Sequence, residues 1–399
     1  MNLFKKIYCR IYQGVFKIAL PFLPYRQPEI LGSDEEVLGI LDERKIERVL
    51  LVTDKGIYGL GLTSSLESLL SQNGIKVSVF DQTIPNPTTD NVEEARELYL
   101  KEECQGIIAF GGGSVMDCAK AVGARIARPN KSLGKMKGVM KVMKKIPLLI
   151  AVPTTAGTGS ETTIAAVITD SRTRHKYAIN DFNLIPSFAL LNPELTLGLP
   201  KHITSTTGMD ALTHAIEAYI GRTTTHQTRM CSKQAVKDIF DNLLIAYNDG
   251  ANFEARKKLL IASYCAGVAF TKSYVGYVHA IAHSIGGKYN TPHGLANAVI
   301  LPHVLKAYRN KIHKKLWELG VFAGLFDENT SISDGAEQFI AKIENLNQQM
   351  NIPTSLEIKK EDIPRLARTA DKEANPLYPV PVLFGQEELA KIYHTFMKE

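Results

Sequence analysis

The fold is decided by GIIAFGGGSVMDCAKAVGARIA, residues 106–127. An apolar run ends in three glycines and a serine, and beyond them apolar residues recur at helical spacing. Glycines let a backbone come close to an anion, and a helix N-terminus offers unpaired N–H groups at the positive end of its dipole. Strand, glycine turn and helix in that order make half of a βαβ unit, with room for a phosphate at the strand's end. The motif is not GxGxxG, and by itself it reads equally well as a tight βα turn.

The flanking sequence repeats the pattern. RVLLVTD (48–54), KVSVFDQ (76–82) and IPLLIAVPTT (146–155) read as buried strands. TSSLESLLSQNG (63–74) and TTDNVEEARELYLKEE (88–103) read as helices, the second capped by Thr89 or Asp90. Strand and helix in alternation predict a parallel sheet covered on both faces. The last strand runs into PTTAGTGSET (153–162), where Thr154, Thr155, Thr158 and Ser160 place hydroxyls beside two more glycines. Two such loops at strand C-ends sit where open α/β sheets bind ligands. Asp54 ends its strand, where a carboxylate accepts hydrogen bonds from a ribose 2′-OH and repels a 2′-phosphate; capping the next helix is its other reading. The lysine-rich NKSLGKMKGVMKVMKK (130–145) reads as a solvated helix or loop face.

Past Pro193 the periodicity becomes helical and β-branched runs grow scarce. The expected organisation is a basic amphipathic helix over residues 1–21, a Rossmann-like α/β dinucleotide-binding domain over 22–194, and an all-α metal-binding domain over 195–399, with the boundary near LLNPELTLGLP (190–200).

The chemistry of the helical part lies in two segments. TGMDALTHAIEAYIG (207–221) sets Asp210 and His214 four residues apart, and YVHAIAHSIGGKYNTPHG (277–294) does the same with His279 and His283. Residues four apart share a helix face. His293 follows a glycine turn and Pro292, so it folds back towards that helix. A carboxylate with imidazoles suits Fe(II) or Zn(II) and suits calcium poorly. Five candidates are more than a catalytic metal takes while keeping a position open, so one of the five faces substrate or supports a ligand.

The chain has 399 residues and a formal charge of +6. Lys5, Lys6, Arg10, Lys17 and Arg26 fall before the first acid, Glu29, so the remainder is nearly neutral and nothing suggests a nucleic-acid partner. Five widely spaced cysteines with no CxxC argue against a disulfide framework and favour a reducing, cytoplasmic setting. In the N-terminal segment Phe4, Ile7, Tyr8, Ile11, Val15, Ile18 and Phe22 recur at helical spacing with the bases mostly opposite. It is too short and too charged to span a bilayer. It either packs on its own body or a twin subunit, or makes weak contact with a membrane surface.

In combination, GGGSVMDCAK, PTTAGTGSE, TGMDALTHAIEAY and GYVHAIAHSIGGKYNTPHGLANAVILP resemble the iron-containing (group III) alcohol dehydrogenase family, over roughly residues 22–399. The resemblance implies hydride transfer between NAD(H) and an alcohol/aldehyde or ketone pair, in a homo-oligomer such as a homodimer. It places the metal ligands on Asp210, His214, His279 and His293, and a histidine near nicotinamide and substrate, able to relay a proton, on His283. It places cofactor contacts on Gly111, Gly112, Gly113, Ser114 and Asp117, on Thr154, Thr155 and Thr158, on Asn86 of PNPT, and on Lys176. Asp54 falls at its NAD-versus-NADP position and implies NAD. Fe(II) is the implied metal, and Zn(II) fits the same ligands.

Three segments depart from the family pattern: Asn192 in LNP, Lys272 and Ser273 before the histidines, and DKEANPLYPVP (371–381) where a cysteine-containing region is commoner. These segments help line the substrate pocket in relatives. A dehydroquinate-synthase-like enzyme and a hydroxyacid–oxoacid transhydrogenase remain open as alternatives on the same architecture. An HxxxH metal hydrolase lacks the HExxH glutamate. A non-catalytic NAD-binding module leaves five clustered ligand-type residues without a use.

Overall fold

A computed structural model of the chain describes residues 1–398; Glu399, the end of the expected helical domain, lies outside the described residues. The chain forms two compact units, one of Pro24–Leu197 and one in which Met1–Leu23 joins Gly198–Glu399.

The first unit is built on six parallel strands: β1 (Glu29–Leu31), β2 (Arg48–Val52), β3 (Lys76–Phe80), β4 (Gly106–Gly111), β6 (Leu148–Pro153) and β9 (Phe188–Leu190), in the order β1-β9-β6-β4-β2-β3. Side chains alternate across a strand, so each strand feeds two cores. Leu50, Val52, Ile107, Ala109, Leu149 and Ala151 enter one, beneath α5 (Thr89–Lys101) and α6 (Gly113–Ala127). Val49, Leu51, Ile108, Phe110, Ile150 and Val152 enter the other, beneath α2 (Asp34–Glu43) and α4 (Ser64–Gln72). A short helix, α3 (Lys55–Gly59), follows β2.

Two local readings change. The cap of α5 is Thr88: its hydroxyl accepts from Asn91 N while the Asn91 side chain reaches back to Thr88 N, a capping box that neither Thr89 nor Asp90 makes. The lysine-rich segment is only partly a solvated face. It folds as α7 (Leu133–Met136) and β5 (Gly138–Val139), and Leu133, Met136 and Val142 are buried, Lys131 is half-buried and the other lysines stay exposed. β5 pairs with β8 (Lys176–Asn180), and β8 runs antiparallel to β7 (Ala165–Thr169), making a three-stranded sheet absent from the sequence reading.

The second unit is helical: α8 (Lys201–Ile220), α9 (His226–Asn248), α10 (Phe253–Ser273), α11 (Tyr277–Tyr289), α12 (His293–Tyr308), α13 (His313–Phe322), α14 (Ile332–Gln349), α15 (Ile363–Ala374) and α16 (Gln386–Phe396). A two-residue parallel pair, β10 (Leu356–Glu357) with β11 (Met397–Lys398), is its one addition of strand among the described residues. The expected glycine turn before His293 is not a turn. Gly286 and Gly287 lie inside α11, and the chain reverses at Asn290, whose φ of 56° is the left-handed conformation that asparagine tolerates. The N-terminal helix α1 (Leu3–Ala19) belongs to this unit and docks on it through Cys9 and Gln13, with Gln13 donating to Pro376 O and Tyr378 O. No single helix among the described residues is long and apolar enough to cross a membrane.

Candidate metal centre and glycine loops

In the second unit, α8 carries Asp210 and His214, α11 carries His279, and α12 opens with His293. One ligand atom from each lies within 4.8 Å of the other three. Asp210 Oδ1 is 3.5 Å from His293 Nε2 and 3.8 Å from His279 Nε2. Ligands about 2.1 Å from a tetrahedral ion stand about 3.4 Å apart, so the set closes on a cation with shifts of well under an ångström for these pairs. Asp210, His214 and His279 are buried, and His293 is partly exposed, which leaves one open side. The His214 ring is held between Phe270 and His279, at centroid distances of 4.0 and 4.4 Å.

The donor set fits a cation. Asn297 Nδ2 lies 2.6 Å from Asp210 Oδ1, 3.2 Å from His279 Nε2 and 3.1 Å from His293 Nε2. An amide has two hydrogens, so it does not satisfy three acceptors at once. Its own Oδ1 is buried without a hydrogen-bond partner. Several lone pairs converging on one point, with too few protons to meet them, is the arrangement a divalent ion completes.

A carboxylate that the sequence reading passed over orients this set. Glu217 is buried on α8, seven residues after Asp210 and three after His214. Its Oε2 lies 2.7 Å from His279 Nδ1 and accepts from Gly276 N at 2.8 Å, and its Oε1 accepts from Val278 N at 2.8 Å. With the proton on Nδ1, Nε2 of His279 is left as a lone pair facing Asp210. A Cβ on Gly276 would fall 2.6 Å from Glu217 Oε1, so the close approach requires glycine. Burial pushes the Glu217 carboxyl up to about 7 against the pull of backbone N–H groups of Gly276, Val278 and His279. Burial likewise raises Asp210 and holds His279 well below its ordinary value, so the imidazole is neutral and free to ligate.

His283 separates from the other four candidates. It is not in the converging group, its side chain is 46% exposed, and its ring stacks on His293 at 5.0 Å. Its Nδ1 is 2.6 Å from Glu373 Oε1, which also accepts from Tyr378 OH at 2.8 Å. Burial alone would raise Glu373, but the His283 charge and the bonds from His283 and Tyr378 bring it below the usual range. Glu373 and Tyr378 both belong to DKEANPLYPVP (371–381), one of the three segments singled out in the sequence.

In the first unit the two loops abut. β4 and β6 are neighbours, with Gly111 opposite Pro153, and Thr154 N donates to Gly111 O at 3.2 Å. A Cβ on Gly111 would meet Val115 at 2.7 Å, and one on Gly113 would meet Thr158 at 3.1 Å. No side chain caps the α6 N-terminus, and its first turn holds no acid. An uncapped helix start in a glycine cradle is an anion site. Asn86 N donates to Ser114 Oγ at 3.3 Å, and Lys176 Nζ donates to Asn86 Oδ1 at 2.6 Å. Ser160 Oγ donates to Asp117 Oδ1 at 3.4 Å. Thr155 lines the same cradle, 3.6 Å from a Cβ placed on Gly112. Asp54 caps α3, its Oδ1 accepting from Ile57 N at 2.9 Å, which leaves its second oxygen for other contacts.

Lys120, which the sequence reading did not single out, is fully buried behind these loops. Its Nζ donates to Ser160 O at 2.6 Å, Thr163 Oγ1 at 2.7 Å, and Thr163 O and Ala165 O at 3.0 Å. It ties residues 160–165 to α6. Burial lowers its pKa and raises those of Asp117 and Glu161, whose Oε1 has no hydrogen-bond partner.

Comparison with known proteins agrees with both halves. The family described as iron-containing alcohol dehydrogenase matches residues 32–193, and its C-terminal part, the Fe-containing alcohol dehydrogenase family, matches residues 204–397. The chain is 38% identical to the 1,3-propanediol dehydrogenase of Citrobacter freundii, over 95% of this chain and 98% of the other. It is 36% identical to the NAD-dependent methanol dehydrogenase of Bacillus methanolicus, over 85% of this chain and 90% of the other. A crystal structure of 1,3-propanediol oxidoreductase superposes with a TM-score of 0.89 at 35% identity, covering 93% of this chain and 98% of that one. Matches across both units at this identity leave one assignment: the chain belongs to the iron-containing alcohol dehydrogenase family.

Proposed function

We propose that this member of the family is an NAD-linked, metal-dependent dehydrogenase that interconverts a small alcohol and its aldehyde, with Asp210, His214, His279 and His293 holding the metal. The observation that carries the reading is the convergence of those four ligand atoms within 4.8 Å. When bound, Fe(II) or Zn(II) supplies a Lewis acid that lowers the pKa of an alcohol, and NAD supplies the hydride acceptor. The chain's own residues do the remaining work. Glu217 fixes the tautomer of His279. Glu373 orients His283, whose imidazole passes the alcohol proton towards solvent. The α6 N-terminus with Gly111, Gly112, Gly113 and Ser114 receives the pyrophosphate, and Thr154, Thr155 and Thr158 wall it. Asn86, Asp117 and Lys176 shape the rim of that cradle. The free oxygen of Asp54 bonds the ribose hydroxyls and disfavours NADP.

A small substrate fits the relatives, a 1,3-propanediol dehydrogenase and an NAD-dependent methanol dehydrogenase. A cytoplasmic location is part of the reading, supported by five cysteines that are all free thiols. The test is a panel of short alcohols, diols and aldehydes with NAD(H), run on anaerobically iron-loaded protein and on chelator-stripped protein. NADH formation confined to the loaded sample supports the reading; equal rates in both samples reject it.

A further inference from the structure

α1 meets the rest of its unit through its polar side. Lys5 Nζ pairs with Asp371 at 2.7 Å, and Arg10 donates to Val380 O at 2.8 Å and Pro381 O at 2.9 Å. Cys9 and Gln13 are buried on the same side. The apolar stripe therefore points outward: Phe4 is 86% exposed, Ile11 62%, Ile18 73% and Phe22 84%. With Ile7 and Val15, the residues of this set that lie in α1 fall on one face along the helix, and Phe22 follows in the turn just beyond it. Scattered exposed apolar residues are ordinary, but a continuous stripe of this size is an interaction surface.

The charge around the stripe selects the occupant. α1 holds no acid, and its exposed bases Lys6 and Lys17 flank the stripe. Lys311 lines the groove beside Ile7 and Ile11, and Arg222 and Lys315 add positive charge close to Arg10 and Lys17. A second copy docking by the same face would bring the bases of α1 against one another, with no acid on the helix to separate them. An anionic phospholipid surface offers the complement: phosphate groups for the bases and an acyl boundary for the stripe.

We propose that α1 is an interfacial helix that seats its outward stripe in an anionic phospholipid surface, while Lys5, Arg10 and Gln13 keep the metal-bearing unit attached to it. The proposal is independent of the catalytic reading. The experiment is co-sedimentation of the full chain with vesicles of mixed phosphatidylcholine and phosphatidylglycerol, against vesicles of phosphatidylcholine alone, at low and high salt. Partitioning is expected to be at least about tenfold stronger on the anionic vesicles at low salt and to fall as salt rises. Replacing both Lys6 and Lys17 by Gln should weaken it by about 25-fold, from about fivefold per lysine. Phe4→Ser with Ile18→Ser should abolish it and leave melting temperature and dehydrogenase rate unchanged, since both side chains face solvent. Protein that stays in the supernatant with anionic vesicles at low salt overturns the proposal. So does a serine variant whose mass by light scattering is half that of the parent, because a second copy then covers the stripe.

Discussion

Replacing Glu217 by Gln tests how the metal centre is held. Glu217 accepts from Gly276 N, Val278 N and His279 Nδ1 at 2.8, 2.8 and 2.7 Å. Glutamine keeps the shape but only one acceptor oxygen. In its better orientation the oxygen serves Gly276 and His279, and the amide NH2 meets the Val278 N–H head on. One buried bond is lost and two donors, the Val278 N–H and the new amide, are left unmet, which costs at least about 1–3 kcal/mol of folding stability. His279 also loses the carboxylate that raises its basicity, and loss of such a partner weakens metal affinity by about 10–100-fold. Glu217→Ala opens all three bonds and is expected to cost more than Gln in stability as well as in metal. The assay is chelator competition for Fe(II), followed with Co(II) absorption as a reporter of ligand geometry. The Gln variant should bind weakly with an altered Co(II) spectrum, and the spectrum is the readout that a general loss of stability would not change in the metal-bound fraction. Unchanged metal affinity and an unchanged spectrum would show that Glu217 does not act on the metal through His279.

Other consequences follow from the same geometry. His283→Asn should retain full metal content and lose about 100-fold in kcat, because His283 stands outside the four converging atoms yet beside His293; loss of metal instead would return His283 to the ligand set. Asp54→Ser keeps a capping oxygen for Ile57 N but removes the charge, so the ratio of NADP to NAD use should rise with little change in melting temperature. No change in that ratio means Asp54 is only a cap. Burial raises the Glu161 carboxyl to about 7, so the folded chain holds this proton more tightly than the unfolded chain does. The stability it contributes is complete below the ordinary glutamate value and is lost as pH rises through about 7, an effect of about 3 kcal/mol. Glu161→Gln is neutral throughout, so its melting temperature should fall less than the parent's between about pH 5 and about pH 8; parallel curves would contradict the assignment.

Much of this was legible because the relevant signals are local. Strand, glycines and helix in residues 106–127 announce a βα turn by pattern alone, and Asp210 with His214 share a face by spacing alone. What escaped depends on partners distant in sequence. Glu217 lies in step with Asp210 and His214 on α8, so its face was readable, but its role needs His279, 62 residues on. Glu373 meets His283 across 90 residues. Lys120 follows Asp117 on a helix where a lysine is expected to be solvated, and only the fold shows its acceptors arriving from residues 160–165. β7 and β8 are short and half-buried, and they were hidden by flanking polar residues. α1 holds the plainest lesson. Periodicity separates an apolar face from a polar one but does not say which face turns inward, and here carbonyls of residues 376–381 draw the polar face in.

The most direct test of the central claim is to titrate metal-free protein with Fe(II) under anaerobic conditions, measuring bound iron and NADH formation in the same samples, for the parent chain and for His279→Ala. The parent should gain activity in proportion to iron and saturate at one ion per chain, and the variant should gain neither. Full activity in metal-free parent, or normal iron loading by the variant, would contradict the account.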